Sequence, residues 1–494
     1  MSSSQPLQAG ARQTRLALAA ALAVFLAGCA SQGPGHQPLT RLQASDVGLS
    51  PADAEGSAQP SQLQTSRWWS ALGDSRLDTL VDQALQGNPS LAASQARFDK
   101  ALALATAAGT AGDVHGQLGI DATRQRYSAN GLVPPPIAGH TYNSSNVQAG
   151  LSWSPDFFGR HAADLQASLG QARAAQADGA AAANQITAQV ARSYIGLARL
   201  LDQREVAARL LAQRESLLEL SQQRTQAGLD SQVELTQAQA ALPDARTQIE
   251  MLSEQITLSR RQLAVLCGQA PDALLQLAPR LDALRIQDLP QQLGADLLGR
   301  RPDVVAARWR VEAAGHGIDS ARADFYPDIN LTAFVGLNAL GLDNLLKGSS
   351  RQMGVTPALR LPIFDGKRLR AQLRGSQADL DAAIAQYNGV VLDAVREAGD
   401  ALASLDSLAR QQQLQAQSLN KAEKAYDFAV QRYKAGLTGQ ITVLNTENQM
   451  LTQRRLDVDL RARALDTRVA LAKALGGGWQ EPATALQAGP QPRP

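Results

Sequence analysis

The chain has 494 residues, 47 basic against 45 acidic side chains, a net charge of +2 and only 4% aromatic residues. That balance argues against a nucleic-acid partner, and so few aromatics are poor material for the two or three globular cores that length alone suggests. The five histidines form no metal-ligand spacing, and no phosphate loop or nucleophile elbow occurs, so neither an enzyme nor a bound cofactor is expected.

Arg12 and Arg15 precede the apolar run Leu16 to Leu26, which ends in Leu26-Ala27-Gly28-Cys29. A charged start, a short apolar stretch and small residues make 1–28 a signal peptide, too short to span a bilayer. Cys after Leu-Ala-Gly resembles a bacterial lipobox, in which Cys29 is acylated and becomes residue one. An ordinary signal peptide with an incidental Cys is the competing reading. Ala30 in place of Asp favours sorting to the outer membrane, by analogy with lipoproteins. Residues 29–66 are rich in Gln, Ser, Pro and Ala and show no period, so they read as an acylated, extended tether. Without Cys29, Cys267 is the only thiol, which excludes an internal disulfide and suits a buried, inert residue.

A first unit covers 67–270. It opens on Trp68-Trp69, starts a helix near Ser75, breaks at Asn88-Pro89 and continues helically from Leu91 to Ala108. The period then changes to two. Val114, Leu118, Ile120 and Ala122 alternate with His115, Gln117, Asp121 and Thr123, and Val147, Ala149, Leu151 and Trp153 alternate with Asn146, Gln148 and Ser152. These are two strands of about ten residues, a hairpin over 113–155 with one apolar face. From Gly159 a helical pattern runs to about Ala227, a rod of roughly 100 Å. A return helix about half as long, from near Ser231 to Leu266, completes the unit.

After a Pro-containing linker over 271–295, the design repeats over 296–478. Arg301-Pro302 mirrors Asn88-Pro89, and a second hairpin over 327–362 sets Ile329, Leu331, Val335, Met353, Val355 and Leu359 on one face. A second rod and a second half-length helix follow, and 479–494 read as a disordered tail. The chain is thus a tandem duplication, mainly α with a small β part.

The two turns between rod and return helix are twins. Gln223 to Leu235 and Gln431 to Val443 share six of thirteen positions, and Gly228 and Gly436 lie 208 residues apart (436 minus 228). Each glycine supplies the left-handed residue that ends a helix, and Asp230 or Ser231, and Thr438 in the twin, are candidate caps of the next one. Leu229 and Leu437, apolar at exposed tips, hint at a partner.

Four strands cannot cross a membrane alone, because their sheet would leave edge amides unpaired in lipid. A closed barrel needs about eight strands, so several copies must share one; the strand count alone does not choose between two copies and three. A plain coiled-coil spacer without a lumen would carry the same rods.

The set Trp68-Trp69…Leu72-Gly73-Asp74, Asn88-Pro89, Arg300-Arg301-Pro302-Asp303-Val304, Phe325-Tyr326-Pro327 and Pro362-Ile363-Phe364-Asp365-Gly366 resembles the outer-membrane factor family, the TolC-like exit ducts, in its lipoprotein branch. The resemblance covers about residues 66 to 478. It implies a homotrimer with a twelve-stranded outer-membrane barrel and a long periplasmic helical barrel. It implies docking to a periplasmic adaptor (a membrane fusion protein) and an inner-membrane pump of the RND or a similar type, with outer-membrane lipid as surroundings and no nucleic acid. It also implies passive conduction of small molecules such as drugs and toxic organics. A duct for type I protein secretion and a non-channel coiled-coil surface lipoprotein are the alternatives.

Residue by residue, the family's adaptor-binding tips match Gly228, Leu229, Gly436 and Leu437. Its periplasmic gate matches Leu437, Ile441 and Asn445, which fall on one helix face. Relatives often carry Asp where this chain has Asn445, so closure is expected from the Leu437 and Ile441 collars with weak cation preference. The family's latch between hairpins matches Glu234 and Tyr433, with Thr438 where an Arg occurs in some members. No catalytic or metal residue is implied; the one covalent group expected is lipid on Cys29.

Overall fold

The computed structural model describes residues 36–49, 67–285 and 297–481. The signal peptide, Cys29, part of the tether and linker, and residues 482–494 lie outside the described residues. In chain order come α1 (Ser75–Gly87), α2 (Pro89–Gly109), β1 (His115–Arg126), β2 (Thr141–Trp153), α3 (Arg160–Gln226), α4 (Gln232–Leu266), α5 (Pro302–Ala323), β3 (Asp328–Leu340), β4 (Arg351–Arg360), α6 (Gly366–Lys434) and α7 (Gln440–Ala474). The rods α3 and α6 hold 67 and 69 residues, and the return helices α4 and α7 hold 35 each.

Each rod is long enough for two shorter helices to stack along it. α2 and α4 pack on α3, α5 and α7 pack on α6, and α3 also packs on α5 and α7. Small side chains let α3 approach α5 closely: a Cβ on Gly170 would stand 2.9 Å from that of Ala313. The largest core lies at the waist, where the short helices meet end to end. Trp68, Leu72 and Leu77 enter it before and in α1, Tyr194 and Leu197 from the middle of α3, Leu263 from α4, and Leu465, Val469 and Leu471 from α7. The Tyr194 hydroxyl donates to Asp74 at 2.6 Å, and Asp74 also caps α1 by accepting from the Arg76 N–H at 3.0 Å.

Both halves close by the same device. Gly268 after α4 and Gly476 after α7 have φ of 70° and 93°. A Cβ there would lie 2.3 Å from the Gly87 carbonyl oxygen and 2.2 Å from that of Arg300. Only glycine combines the left-handed conformation with that approach. Beside each contact a side chain receives the helix end: Asn88 Nδ2 donates to the Leu266 carbonyl at 2.9 Å, and Arg301 Nη1 to the Ala474 carbonyl at 3.2 Å. Leu266 and Ala474 are again 208 residues apart (474 minus 266).

Two segments depart from the sequence reading. The tether is docked over 36–49. The Leu39 N–H donates to Asp381 at 3.0 Å, and the Asn388 amide accepts from the Leu42 N–H and donates to the Thr40 carbonyl, both at 2.9 Å. Asn388 thereby offers an aperiodic segment the donor and acceptor that a strand would. Arg41 lies over the Tyr387 ring at 4.8 Å, and Leu49 is buried. The start of the tail is docked too, because Arg308 Nη2 and Trp309 Nε1 each donate to the Glu481 carboxylate at 2.6 Å.

Arg301 is buried, and its guanidinium joins Asp303, Glu397 and the Ala474 carbonyl. Arg301→Leu is expected to cost about 3 kcal/mol, since it strands charged and carbonyl partners, and Asn88→Leu about 2. The check is the midpoint of denaturant unfolding at an unchanged slope.

Candidate functional site

The four strands form one antiparallel sheet in the order β1-β2-β3-β4. Its register aligns the apolar sets. Ile120 faces Val147, Val147 faces Leu337, and Leu118, Ala149, Val335 and Met353 make a second row. Every member of these rows points to the same side, because side chains alternate with period two. Leu118, Ile120, Val335, Met353, Val355 and Leu359 are exposed there. The other side carries Gln117, Asp121, Asn146, Gln148, Thr332 and Gln352, and Gln352 Nε2 donates to Asn146 at 2.8 Å. Among the described residues no strand pairs with the outer edges of β1 and β4. At the sheet's foot Phe158 stacks on Tyr326 at 4.9 Å, and Phe157, Ile363 and Phe364 stand exposed, a belt suited to a membrane–water boundary. No described helix is long and apolar enough to cross a membrane.

The rods carry the chain from this sheet to two tips. At each, the glycine is left-handed (φ 70° at Gly228, 72° at Gly436), and the next N–H reaches back to the rod: Leu229 to the Arg224 carbonyl at 2.9 Å, Leu437 to that of Arg432 at 2.8 Å. Leu229 is 66% exposed and Leu437 67%. Ile441 and Asn445 share one exposed face at the start of α7, while Leu437, expected on the same helix face, is exposed in the turn before it. The opposite face, with Val443, Glu447 and Met450, is buried. Ile441 is therefore no part of the seam within the subunit.

The tips meet through Asp230, not Glu234. The Tyr433 hydroxyl donates to the Asp230 carboxylate at 2.5 Å, and Arg224 Nε and Nη2 donate to the same group at 3.0 and 3.1 Å. The guanidinium also lies over the Tyr433 ring at 4.7 Å. Glu234 is occupied elsewhere. Ser231 caps α4, and Glu234 turns back to accept the Ser231 N–H at 3.0 Å, a capping box. That leaves Asp230, one residue before the cap, free to face the second hairpin. Thr438 is no cap either: Gly439 stands at the start of α7, and the buried Thr438 hydroxyl finds no partner among the described residues. Burial alone would raise the Asp230 carboxyl, but the hydrogen bonds from Arg224 and Tyr433 outweigh it and hold the group below the usual aspartate range. Tyr433 is pushed up to about 12 by burial and by its bond to Asp230.

Above the tips, polar contacts join α3 to α7 along an antiparallel line. Asn184 donates to the Lys473 carbonyl at 3.1 Å, and Arg192 pairs with Asp466, Arg199 with Asp459 and Arg214 with Glu447, each at 3.0 Å. Glu447 is fully buried, and burial pushes its carboxyl above the ordinary value despite Arg214. Sequence reasoning missed this seam and read Asp230 only as a candidate helix cap. The signal for Asp230 was present, since it stands beside Arg224 across the glycine turn.

A family model described as Outer membrane efflux protein matches residues 80–269 and 293–477. The chain belongs to that family. It is 32% identical over 471 residues to the putative multidrug resistance outer membrane protein MdtQ of Escherichia coli, covering 93% of this chain and 97% of that one. It is 37% identical over 386 residues to the fusaric acid resistance protein FusA of Burkholderia cepacia, covering 75% and 71%. Among solved structures, the outer membrane protein VceC of Vibrio cholerae aligns with a TM-score of 0.79 at 33% identity, over 84% of this chain and 99% of that chain. The chain of this outer-membrane efflux channel is mainly helical, tandemly duplicated and four-stranded, as its periodicity and internal repeat indicated.

Tyr433→Phe and Asp230→Asn should each raise resting conductance several-fold in planar bilayers, and the double variant should add little, because both break one contact. Glu234→Gln should conduct like wild type. The low Asp230 pKa makes its contribution present above about pH 4 and lost as pH falls through the depressed value. The raised Tyr433 pKa makes its contribution present below about pH 10 and lost as pH rises through about 12. Conductance should therefore be flat between about pH 5 and 9.

Proposed function

We propose that three copies of this chain share one twelve-stranded barrel in the outer membrane and extend it inward as a helical tube, closed at rest where the tips converge. The observation that carries this reading is the four-stranded sheet, apolar on one face, polar on the other and, among the described residues, unpaired at both edges. Lipid demands that every edge amide be paired, so edges β1 and β4 must meet those of sister copies. The polar face then lines water.

In this reading Leu437 and Ile441 form apolar collars at the narrow end, and Asn445 adds no charge. The Tyr433–Asp230–Arg224 cluster holds the second hairpin against the first. Gly228, Leu229, Gly436 and Leu437 present the tips to a periplasmic adaptor, which couples the duct to an inner-membrane pump of the RND or a similar type. The cargo is small organic toxicants, the class to which fusaric acid belongs in the name of one relative.

Lipid on Cys29 fits the same geometry. Cys29 stands seven positions before His36, a reach of at most about 25 Å. His36 contacts Asp381, fifteen residues along α6 from Gly366 at the sheet's foot, or about 22 Å. The distance is therefore within the extended reach of a chain that carries lipid on Cys29.

Bilayer recordings and susceptibility profiling test this reading. Purified protein should run as a trimer and conduct, and its deletion should sensitise cells to organic toxicants. Leu437→Ser with Ile441→Ser should raise resting conductance several-fold, and millimolar magnesium should leave the wild-type current unchanged. Strong divalent block would refute a gate without charge. Cys29→Ala should abolish labelling by radioactive palmitate.

A further inference from the structure

The charged side chains on the apolar face of the sheet are few and sit at one end. The register assigns to that face Gly116, Leu118, Ile120, Ala122, Arg124 and Arg126 of β1, Ile329 to Ala339 at odd positions of β3, and Arg351, Met353, Val355, Pro357 and Leu359 of β4. β2 adds Thr141, Asn143, Ser145, Val147, Ala149, Leu151 and Trp153. The only charges in this set are Arg124, Arg126 and Arg351. All three are exposed, and all lie at the end of the sheet away from the rods. Neither Asp nor Glu occurs on this face, whereas Asp121 and Asp328 fall on the polar one. None of the three arginines has a carboxylate in ion-pair range among the described residues. The end near the rods carries Trp153, Ile329 and Leu359 on the same face and no charge.

Arginines placed only to let long side chains reach water would be expected at both boundaries of an apolar band. Arg160, Lys367 and Arg368 stand exposed at the inner boundary, but Arg160 and Arg368 are paired there with Asp324 and Asp365. The outer three on this face have no carboxylate partner among the described residues, which calls for an anionic partner in the outer leaflet. Their distribution among the strands narrows it further. They occur on β1 and β4, the two edge strands, and on neither inner strand. In the shared barrel proposed above, on which this inference rests, β4 of one copy meets β1 of the next, and the three cations gather at that seam. Lys347, exposed four residues before Arg351 and donating to Asn344 Oδ1 at 2.6 Å, adds a fourth, and the neighbouring loop exposes Leu342 and Leu346 together with one carboxylate, Asp343. Cations beyond an apolar band, flanked by exposed leucines, match a molecule that has phosphates at its head and several acyl chains below.

We propose that each seam between subunits binds one phosphorylated, multiply acylated glycolipid of the outer leaflet. Its phosphates lie against Arg124 and Arg126 of one copy and Arg351 of the next, and its acyl chains lie on the apolar rows beneath. Each lipid thus bridges two subunits.

The test is native mass spectrometry of the purified full-length protein, delipidated and titrated with a bisphosphorylated hexa-acyl glycolipid. Conductance is recorded on the same sample. The wild type is expected to bind up to three lipids per trimer. Zwitterionic phosphatidylcholine should bind at least about tenfold more weakly, and inorganic phosphate should not compete. The triple variant Arg124→Gln, Arg126→Gln, Arg351→Gln should lose at least about tenfold in apparent affinity while remaining a conducting trimer. The matching Arg→Lys triple, which keeps the charge, should stay within about threefold of wild type, as should Arg360→Gln on the polar face. Equal binding by wild type and the Gln triple, or equal binding of the two lipids, would overturn the seam site and leave the channel reading intact. Competition by free phosphate would also overturn it, by reducing the site to a simple anion patch. Absence of a trimer or of conductance in the wild type would overturn both.

Discussion

The constraint beneath this architecture is the unpaired backbone along β1 and β4. An amide left open to hydrocarbon costs several kcal/mol, and an edge strand presents one every second residue. No rearrangement within a four-stranded sheet removes two edges, which is why the proposed barrel pairs them between copies. The polar and apolar faces sort correctly only if register is kept, since a slip of one residue would exchange them. The rows from Ile120 to Leu337 show that register held across the junction between the two halves of the chain. That β2–β3 junction joins strands nearly two hundred residues apart in sequence, so both halves must be in place before the sheet exists.

The helical part solves a different problem, which is to extend a wall one helix thick without a conventional core. The answer is a pair of rods, each flanked by shorter helices stacked end to end, with the apolar residues concentrated at the stacking point. Tight glycine contacts at Gly268 and Gly476 fix how each return helix meets the start of the next unit. The same device appears in both halves although Asn88 serves in one and Arg301 in the other. Duplication kept the geometry while the chemistry of the receiving side chain changed, because the geometry needs a donor at the helix end and little else.

Much of this was legible in advance. Period two against period 3.6 located strands and rods, and glycine placement located the tips. Capping chemistry was harder to read. Asp230, Ser231 and Glu234 all compete for the start of α4, and sequence alone does not say which two form the box and which is released. Once Ser231 and Glu234 pair, Asp230 is free for Tyr433. The docked segment 36–49 was illegible for a similar reason: its hydrogen bonds go to side chains on α6, and no period in its own residues announces them.

The unbroken length of the return helices has a mechanical meaning. α7 is 35 residues, a lever of about 52 Å with its fulcrum in the packed waist. Swinging it by about 6° carries its far end some 5.4 Å, the advance of one helical turn. Natural curvature of long helices, with radii of about 60–100 Å, spans far larger angles over such a length. A wide aperture at the mouth therefore asks for almost no deformation at the pivot, and the dense packing around Tyr194 and Leu465 can stay as it is while the distal end travels.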